Sequence, residues 1–153
     1  MAVKTRTQLT TGRDFGDLLD SITPALLNVE AITAARTLTT NDSGKVFTLD
    51  SAGGAYSITL PTAALLVAGW NCKFIVKEDT PSNDITIAAG SAIIDGVNDD
   101  GQGNVANSTA GTAVSNIIVE AASKQGDFID LFTDGTSYYF HAVGSVDQAF
   151  TTS

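Results

Sequence analysis

The residue types that could carry acid–base chemistry concentrate in GDFIDLFTDGTSYYFHAVG, residues 126–144, which holds the only histidine of the chain, His141, together with Asp130 and Ser137. A nucleophilic hydrolase needs those three types: a hydroxyl to attack, an imidazole to take its proton and a carboxylate to orient the imidazole. Whether they can act together depends on the face each occupies. Asp134-Gly135 is a strong hairpin signal, because both turn positions need positive φ, which Gly takes freely and Asp tolerates. A two-residue loop sets Leu131 opposite Tyr138 and Ile129 opposite Phe140; a four-residue loop, Asp134 to Ser137, shifts the partners and keeps the faces. Either way Ile129, Leu131, Tyr138, Phe140 and Ala142 form a core stripe at period two, and Phe128, Asp130, Phe132, Tyr139 and His141 form the half-exposed face. Ser137 then sits at the turn, without the Gly-x-Ser-x-Gly setting that exposes a nucleophile. The stretch therefore reads as a scaffold hairpin, no catalytic residue is assigned, and no enzyme activity is expected.

The elements that must hold this hairpin follow from the rest of the chain. A chain of 153 residues buries about two-thirds of its unfolded surface as one domain and needs no disulfide or metal to fold. The single Cys72 excludes an intrachain bridge and a multi-cysteine zinc site, leaving a buried thiol or an intermolecular link. There is no leading apolar run and no stretch of about 18 apolar residues, so neither a signal peptide nor a membrane span is expected. From residue 37 onward short apolar-alternating runs are separated by turn signals. Lys45 to Asp50 and Ala55 to Leu60 read as a hairpin across Ser51-Ala-Gly-Gly54, with Phe47 and Leu49 opposite Ile58 and Tyr56 and Pro61 closing the pair. Further strands are predicted at Cys72 to Lys77, Ile85 to Ala88, Ala92 to Asp95 and Ala113 to Ala121. The expected fold is all-β, an antiparallel β-sandwich or jelly-roll-like module over residues 37–153, carrying a short helical N-terminal arm over residues 1–36.

IDGVNDDGQGNVANSTAGT, residues 94–112, has no apolar period and reads as a long surface loop. Asp95, Asp99 and Asp100 suggest calcium, but Val97 stands where an EF-hand loop needs an oxygen and no closing Glu follows, so no metal and no cofactor is expected.

The arm differs from the body. Residues 1–13 contain Lys4, Arg6 and Arg13 and no acid, whereas the remaining chain, with five bases and seventeen acids, stands at −12. An acidic body repels phosphate and argues against nucleic acid as a partner. Beyond the basic leader, Thr11 with Asp14 opens a helical pattern in which Phe15, Leu18, Leu19 and Ile22 share one face. Thr23-Pro24 interrupts it and restarts a short helix carrying Leu26 and Leu27. These leucines must bury either on their own body or on a partner, and the basic arm reads as a segment that reaches one.

Two stretches carry a resemblance. LTTNDSGKVFTLDSAGGAYSITLP, residues 38–61, resembles the opening hairpin of small virion proteins of tailed bacteriophages, and residues 126–144 resemble their closing hairpin, with Gly-Asp, Asp-Gly-Thr and an aromatic run. The class includes head decoration (cement) proteins, fibres and tail appendages. The resemblance implies a structural protein: a homotrimer of β modules, assembled in the bacterial host cytoplasm, whose arm attaches to the major capsid protein and whose place is the virion capsid surface. On that reading Lys4, Arg6, Arg13, Phe15, Leu18, Leu19, Ile22, Leu26 and Leu27 form the capsid or partner interface. A second reading is a receptor-binding fibre or appendage using Tyr139, His141 and the 94–112 loop against host glycans. A third is a polysaccharide hydrolase using Asp99 and Asp100, weakened because adjacent carboxylates diverge.

Overall fold

A computed structural model of the chain describes residues 28–78, 82–90, 92–100 and 109–153. Twelve strands are formed: β1 (Val29–Ile32), β2 (Arg36–Thr37), β3 (Lys45–Leu49), β4 (Tyr56–Thr59), β5 (Asn71–Val76), β6 (Ile85–Ala88), β7 (Ile94–Asp100), β8 (Thr109–Val114), β9 (Asn116–Val119), β10 (Phe128–Thr133), β11 (Tyr138–Gly144) and β12 (Phe150–Thr152). They make two packed sheets, one in the order β1-β3-β5-β10-β11-β7-β8 and the other β12-β9-β6-β4-β2. This is an all-β sandwich, as the alternating runs predict.

Alternation supplies the core. From the larger sheet Phe47, Leu49, Phe74, Val76, Ile129, Leu131 and Phe140 point inward; Ile58, Ile85, Ile87, Ile117, Val119 and Phe150 face them from the smaller one, all buried in a single cluster. Phe47 and Phe74 are register partners with rings stacked at 5.6 Å. Two buried aromatics keep their polar handles satisfied: the Tyr138 hydroxyl donates to the Pro61 carbonyl at 2.7 Å, and Trp70 Nε1 donates to the Thr39 carbonyl at 3.2 Å.

The expected antiparallel pairing holds for only part of the molecule. Five strand pairs are parallel (β1/β3, β3/β5, β2/β4, β4/β6 and β7/β11), and five are antiparallel. The predicted hairpin over Lys45 to Leu60 is not one. β3 lies between β1 and β5, β4 lies between β2 and β6 in the other sheet, and Ser51–Gly54 arches between them. Phe47 and Leu49 thus stand on the opposite wall of the core from Ile58, instead of beside it. Period two puts apolar side chains inward in either arrangement, so it cannot tell a hairpin from an arch. From β1 to β6 the chain alternates sheets at every step, laying each strand in parallel on the strand two before it, a short stacked coil.

The body also begins earlier than predicted. β1 is a sheet strand and β2 contains residue 36, so the expected boundary at 37 falls inside the sandwich. Likewise the 94–112 segment is a loop only in part, since β7 and β8 occupy its ends and pair antiparallel. β7 hides its alternation in Gly and Asn. Ile94 and Asn98 are buried, and Gly96 between them lies where a Cβ would come within 2.1 Å of the Phe140 carbonyl oxygen.

Candidate functional site

The β10–β11 hairpin lies in the middle of the larger sheet, and its outer face carries aromatic, acidic and imidazole side chains together. Its connection is the four-residue one, with Thr133 paired to Tyr138, Leu131 to Phe140 and Ile129 to Ala142. The Asp134 carboxylate accepts from the Thr136 and Ser137 N–H groups at 2.8 and 2.9 Å, and Thr133 Oγ1 accepts from Gly135 N and donates to the Ser137 carbonyl. The N–H groups of Ser137 and Thr136 hold the Asp134 carboxyl below the usual carboxylate range. The predicted faces are both observed: Ile129, Leu131, Tyr138, Phe140 and Ala142 are buried, while Phe128, Asp130, Phe132, Tyr139 and His141 look outward.

The three candidate catalytic types are not assembled. Asp130 and His141 are cross-strand partners, but Asp130 Oδ1 pairs with Lys73 Nζ at 3.1 Å, and His141 Nε2 meets Asp99 Oδ2 on β7 at 2.8 Å. Ser137 precedes His141 by four residues of extended chain, about 13 Å away along the hairpin. The carboxylate beside His141 is therefore supplied by β7, a strand the sequence reading placed in a loop.

Parallel pairing of β7 with β11 puts Asp95 beside Tyr139, Val97 beside His141 and Asp99 beside Val143. The outcome is an open groove of about 450 Å³ whose walls include Phe132, Tyr139, Val97, Asp95, Asp99 and His141. Phe132 and Tyr139 are cross-strand partners with rings stacked at 5.3 Å and 24°, and Phe132 is 54% exposed. The Tyr139 hydroxyl donates to Asp134 Oδ2 at 3.1 Å, a bond that raises the phenol's pKa and fixes the ring. Asp95 Oδ1 accepts the Ala113 N–H at 2.7 Å, tying the groove's rim to β8. Among the described residues no group of three His, Cys, Asp or Glu side chains is placed to hold a metal.

A second charged cluster lies at the start of the coil and escaped the sequence reading. Arg36 binds Glu30 through both Nη atoms and Asp42 Oδ1 at 3.2 Å; Lys45 Nζ reaches Asp42 Oδ1 at 2.7 Å and Glu30 Oε2 at 3.2 Å. Asp42 is buried, and burial alone would raise its pKa. Lys45 and the N–H and hydroxyl of Thr39 outweigh that and hold it below its ordinary value. Arg36 also lies over the Phe47 ring at 5.2 Å. These contacts fasten β1, β2 and β3 together and leave no open site. The signal was present in Asn41-Asp-Ser-Gly-Lys45, but its partners, Glu30 and Arg36, stand in what was read as the arm. Cys72 is a buried thiol, as predicted, with its pKa pushed well up by desolvation.

The candidate interface residues Lys4, Arg6, Arg13, Phe15, Leu18, Leu19, Ile22, Leu26 and Leu27 lie outside the described residues. No family model matches the chain, and no curated protein is significantly similar to it.

Proposed function

We propose that this chain is a virion structural protein of the head decoration (cement) type, without catalytic activity, which binds the outer capsid and stabilises it. The observation that carries the proposal is the position of β1. It is an edge strand of the larger sheet with one strand neighbour among the described residues, and the segment entering it is the basic, leucine-bearing stretch of residues 1–27. A strand edge offers backbone N–H and C=O groups to a further strand, and the sequence that leads into it supplies charge and apolar residues, which is the chemistry an attachment segment needs. The sandwich behind it has one continuous core and stacked corners, which suits a module that must hold shape under load. Its partners are the major capsid protein and two further copies of itself, at the capsid surface. Binding that adds buried area across joints between capsid subunits stabilises the assembled shell by mass action.

Electron microscopy of purified particles tests the reading. Density for the sandwich on the outside of the head, at the joints between capsid subunits, supports it; density confined to the tail or fibres, or no copies on the particle, overturns it. Light scattering of the free chain should give about three times the 15.8 kDa subunit mass.

A further inference from the structure

We infer that the groove on the outer face of the β10–β11 hairpin is a binding site for neutral saccharides, with Phe132 and Tyr139 as the stacking platform. The two rings stack on each other, 5.3 Å between centroids and 24° between planes, so they stand as one apolar ridge, and a ring face left on its outer side matches the C–H face of a pyranose, whose slightly positive hydrogens meet the negative face of the ring. Val97, 39% exposed on the neighbouring strand, extends the apolar floor. Around it the polar groups are those that hydroxyls require. Asp95 brings a carboxylate to the rim, and the His141 ring, held against Asp99 at 2.8 Å, stands at the same rim. The platform is pre-set. Tyr139 is tethered through its hydroxyl to Asp134, and the groove floor rests on the close Gly96–Phe140 approach, so little ordering is needed on binding.

Charge narrows the ligand class. The chain beyond residue 13 carries −12, and two of its carboxylates stand at the groove, which disfavours nucleic acid and polyanionic glycans. An apolar peptide or a second copy laid on the rings would desolvate the Asp95 carboxylate at the rim without replacing its hydrogen bonds, whereas sugar hydroxyls replace them. The site stands independently of where on a particle the protein is located, since it needs only the hairpin and β7.

Saturation-transfer NMR of the full chain against maltotetraose, cellotetraose, mannotetraose and chitotetraose tests the assignment. At least one should show transfer to its ring C–H protons. Phe132→Ala and Tyr139→Ala should each weaken that binding at least tenfold, and Phe132→Trp should keep it. Phe128→Ala, on the same face outside the groove, should leave it unchanged, and circular dichroism should show all variants folded. Absence of transfer with every probe at about 10 mM, the edge of measurable affinity, would overturn the assignment. So would binding untouched by both alanine variants, or tighter binding of a sulfated glycan than of any neutral one.

Discussion

Two four-residue connections, Ser51–Gly54 and Asp134–Ser137, look alike in sequence and do opposite things. Each follows an apolar-alternating strand, is rich in small residues and contains glycine at positive φ. The second closes on itself: Asp134 takes two N–H groups of its own turn, Thr133 takes a third, and the strands on either side pair. The first has bonds of its own, Gly54 N to the Ser51 carbonyl at 2.9 Å and Ala52 N to Asp50 Oδ1 at 3.1 Å, but it is held from outside as well. The Ser51 carbonyl accepts from Asn83 Nδ2 at 3.0 Å, and the Ala52 N–H goes to Glu78. The corner carbonyls of Ile32 and Leu49 receive Asp50 N and Lys77 N, so successive corners stack. Where the flanking strands pair, the turn's own bonds suffice and make a hairpin; where they do not, the turn also leans on the coils above and below and makes an arch between sheets.

The largest effects test whether these two halves are one structure. Phe47 belongs to the stacked coil and Phe140 to the hairpin, both are buried, and both are part of a single core cluster. Phe47→Ala and Phe140→Ala should each cost about 3–5 kcal/mol. Both should lower the midpoint of the same single unfolding transition in urea, followed in parallel by fluorescence and circular dichroism. Two resolved transitions, each sensitive to only one variant, would mean that coil and hairpin are separate folding units.

Next comes β7, which lies on the hairpin's other side from the coil. Gly96 faces Phe140 so closely that a Cβ would lie 2.1 Å from its carbonyl oxygen and 2.4 Å from its ring. Gly96→Ala must separate β7 from β11 or displace Phe140, and should cost about 3 kcal/mol by overpacking. It should also disturb the groove, visible as changed NMR shifts of Tyr139 and His141. A neutral Gly96→Ala would show that β7 is loosely held.

The same contrast explains what the sequence could and could not reveal. The hairpin was legible to the residue: Asp134-Gly135 and an apolar period of two fixed both faces, because everything that determines them lies within nineteen residues. The choice between the two even loops was left open, since it rests on the Thr133 hydroxyl bonding Ser137. The arch was misread because the groups that define it, Asn83 and Glu78 among them, lie about 26–32 residues away, beyond any local window. β7 is legible only at its start, where the strand expected over Ala92 to Asp95 overlaps it, for another reason. Its inward positions are Ile94, Gly96 and Asn98, so alternation exists sterically without appearing as hydrophobicity. With the rest of β7 unread, Asp99 could not be placed beside His141, and Asp130 was taken as the nearest carboxylate.

The ion-pair cluster sharpens the comparison through pH. Asp42 lies below its ordinary value of 3.8 because bonds from Lys45 and Thr39 overcome burial, and Glu30 lies below 4.5 because of Arg36 and then Lys45. Both groups have folded values below their unfolded ones, so as pH falls the unfolded chain takes up protons first. Their contribution is complete above about pH 5 and is lost as pH drops through the ordinary values toward the folded ones. Asp42→Asn should cost about 2 kcal/mol at pH 7, from losing charge-assisted bonds at a buried site, and should flatten the decline in stability between pH 5 and 3. Urea midpoints of both proteins across that range check the sign, and an unchanged slope would exclude the cluster as the acid-sensitive part of the coil.

A smaller effect distinguishes the two connections themselves. Asn83→Ala removes the side-chain donor to the buried Ser51 and should cost about 1 kcal/mol. Because the bond ties one coil to the next, amide exchange should quicken at Asp50 and Lys77, which stack at the same corners, and stay unchanged at Thr133 and Tyr138. Uniform quickening across both regions would mean that the corners do not act as a local unit.

The smallest expected change is on the outer face, where the candidate chemistry lies. Asp130 and Lys73 form an exposed pair, and His141 and Asp99 are each about half exposed, so neither pair is desolvated enough for its removal to leave a buried charge. Asp130→Asn and His141→Ala should therefore each change stability by less than about 1 kcal/mol, although they sit on the same two strands as Phe140. Alternation places the costly and the nearly neutral positions one residue apart. Their consequences for function should separate as well: His141 borders the aromatic groove and Asp130 faces the other way, toward Lys73, so saccharide binding should weaken with His141→Ala and not with Asp130→Asn. A large loss of stability in either variant, measured by urea unfolding, would mean that the outer face is covered in solution and that the hairpin is a core element on both sides.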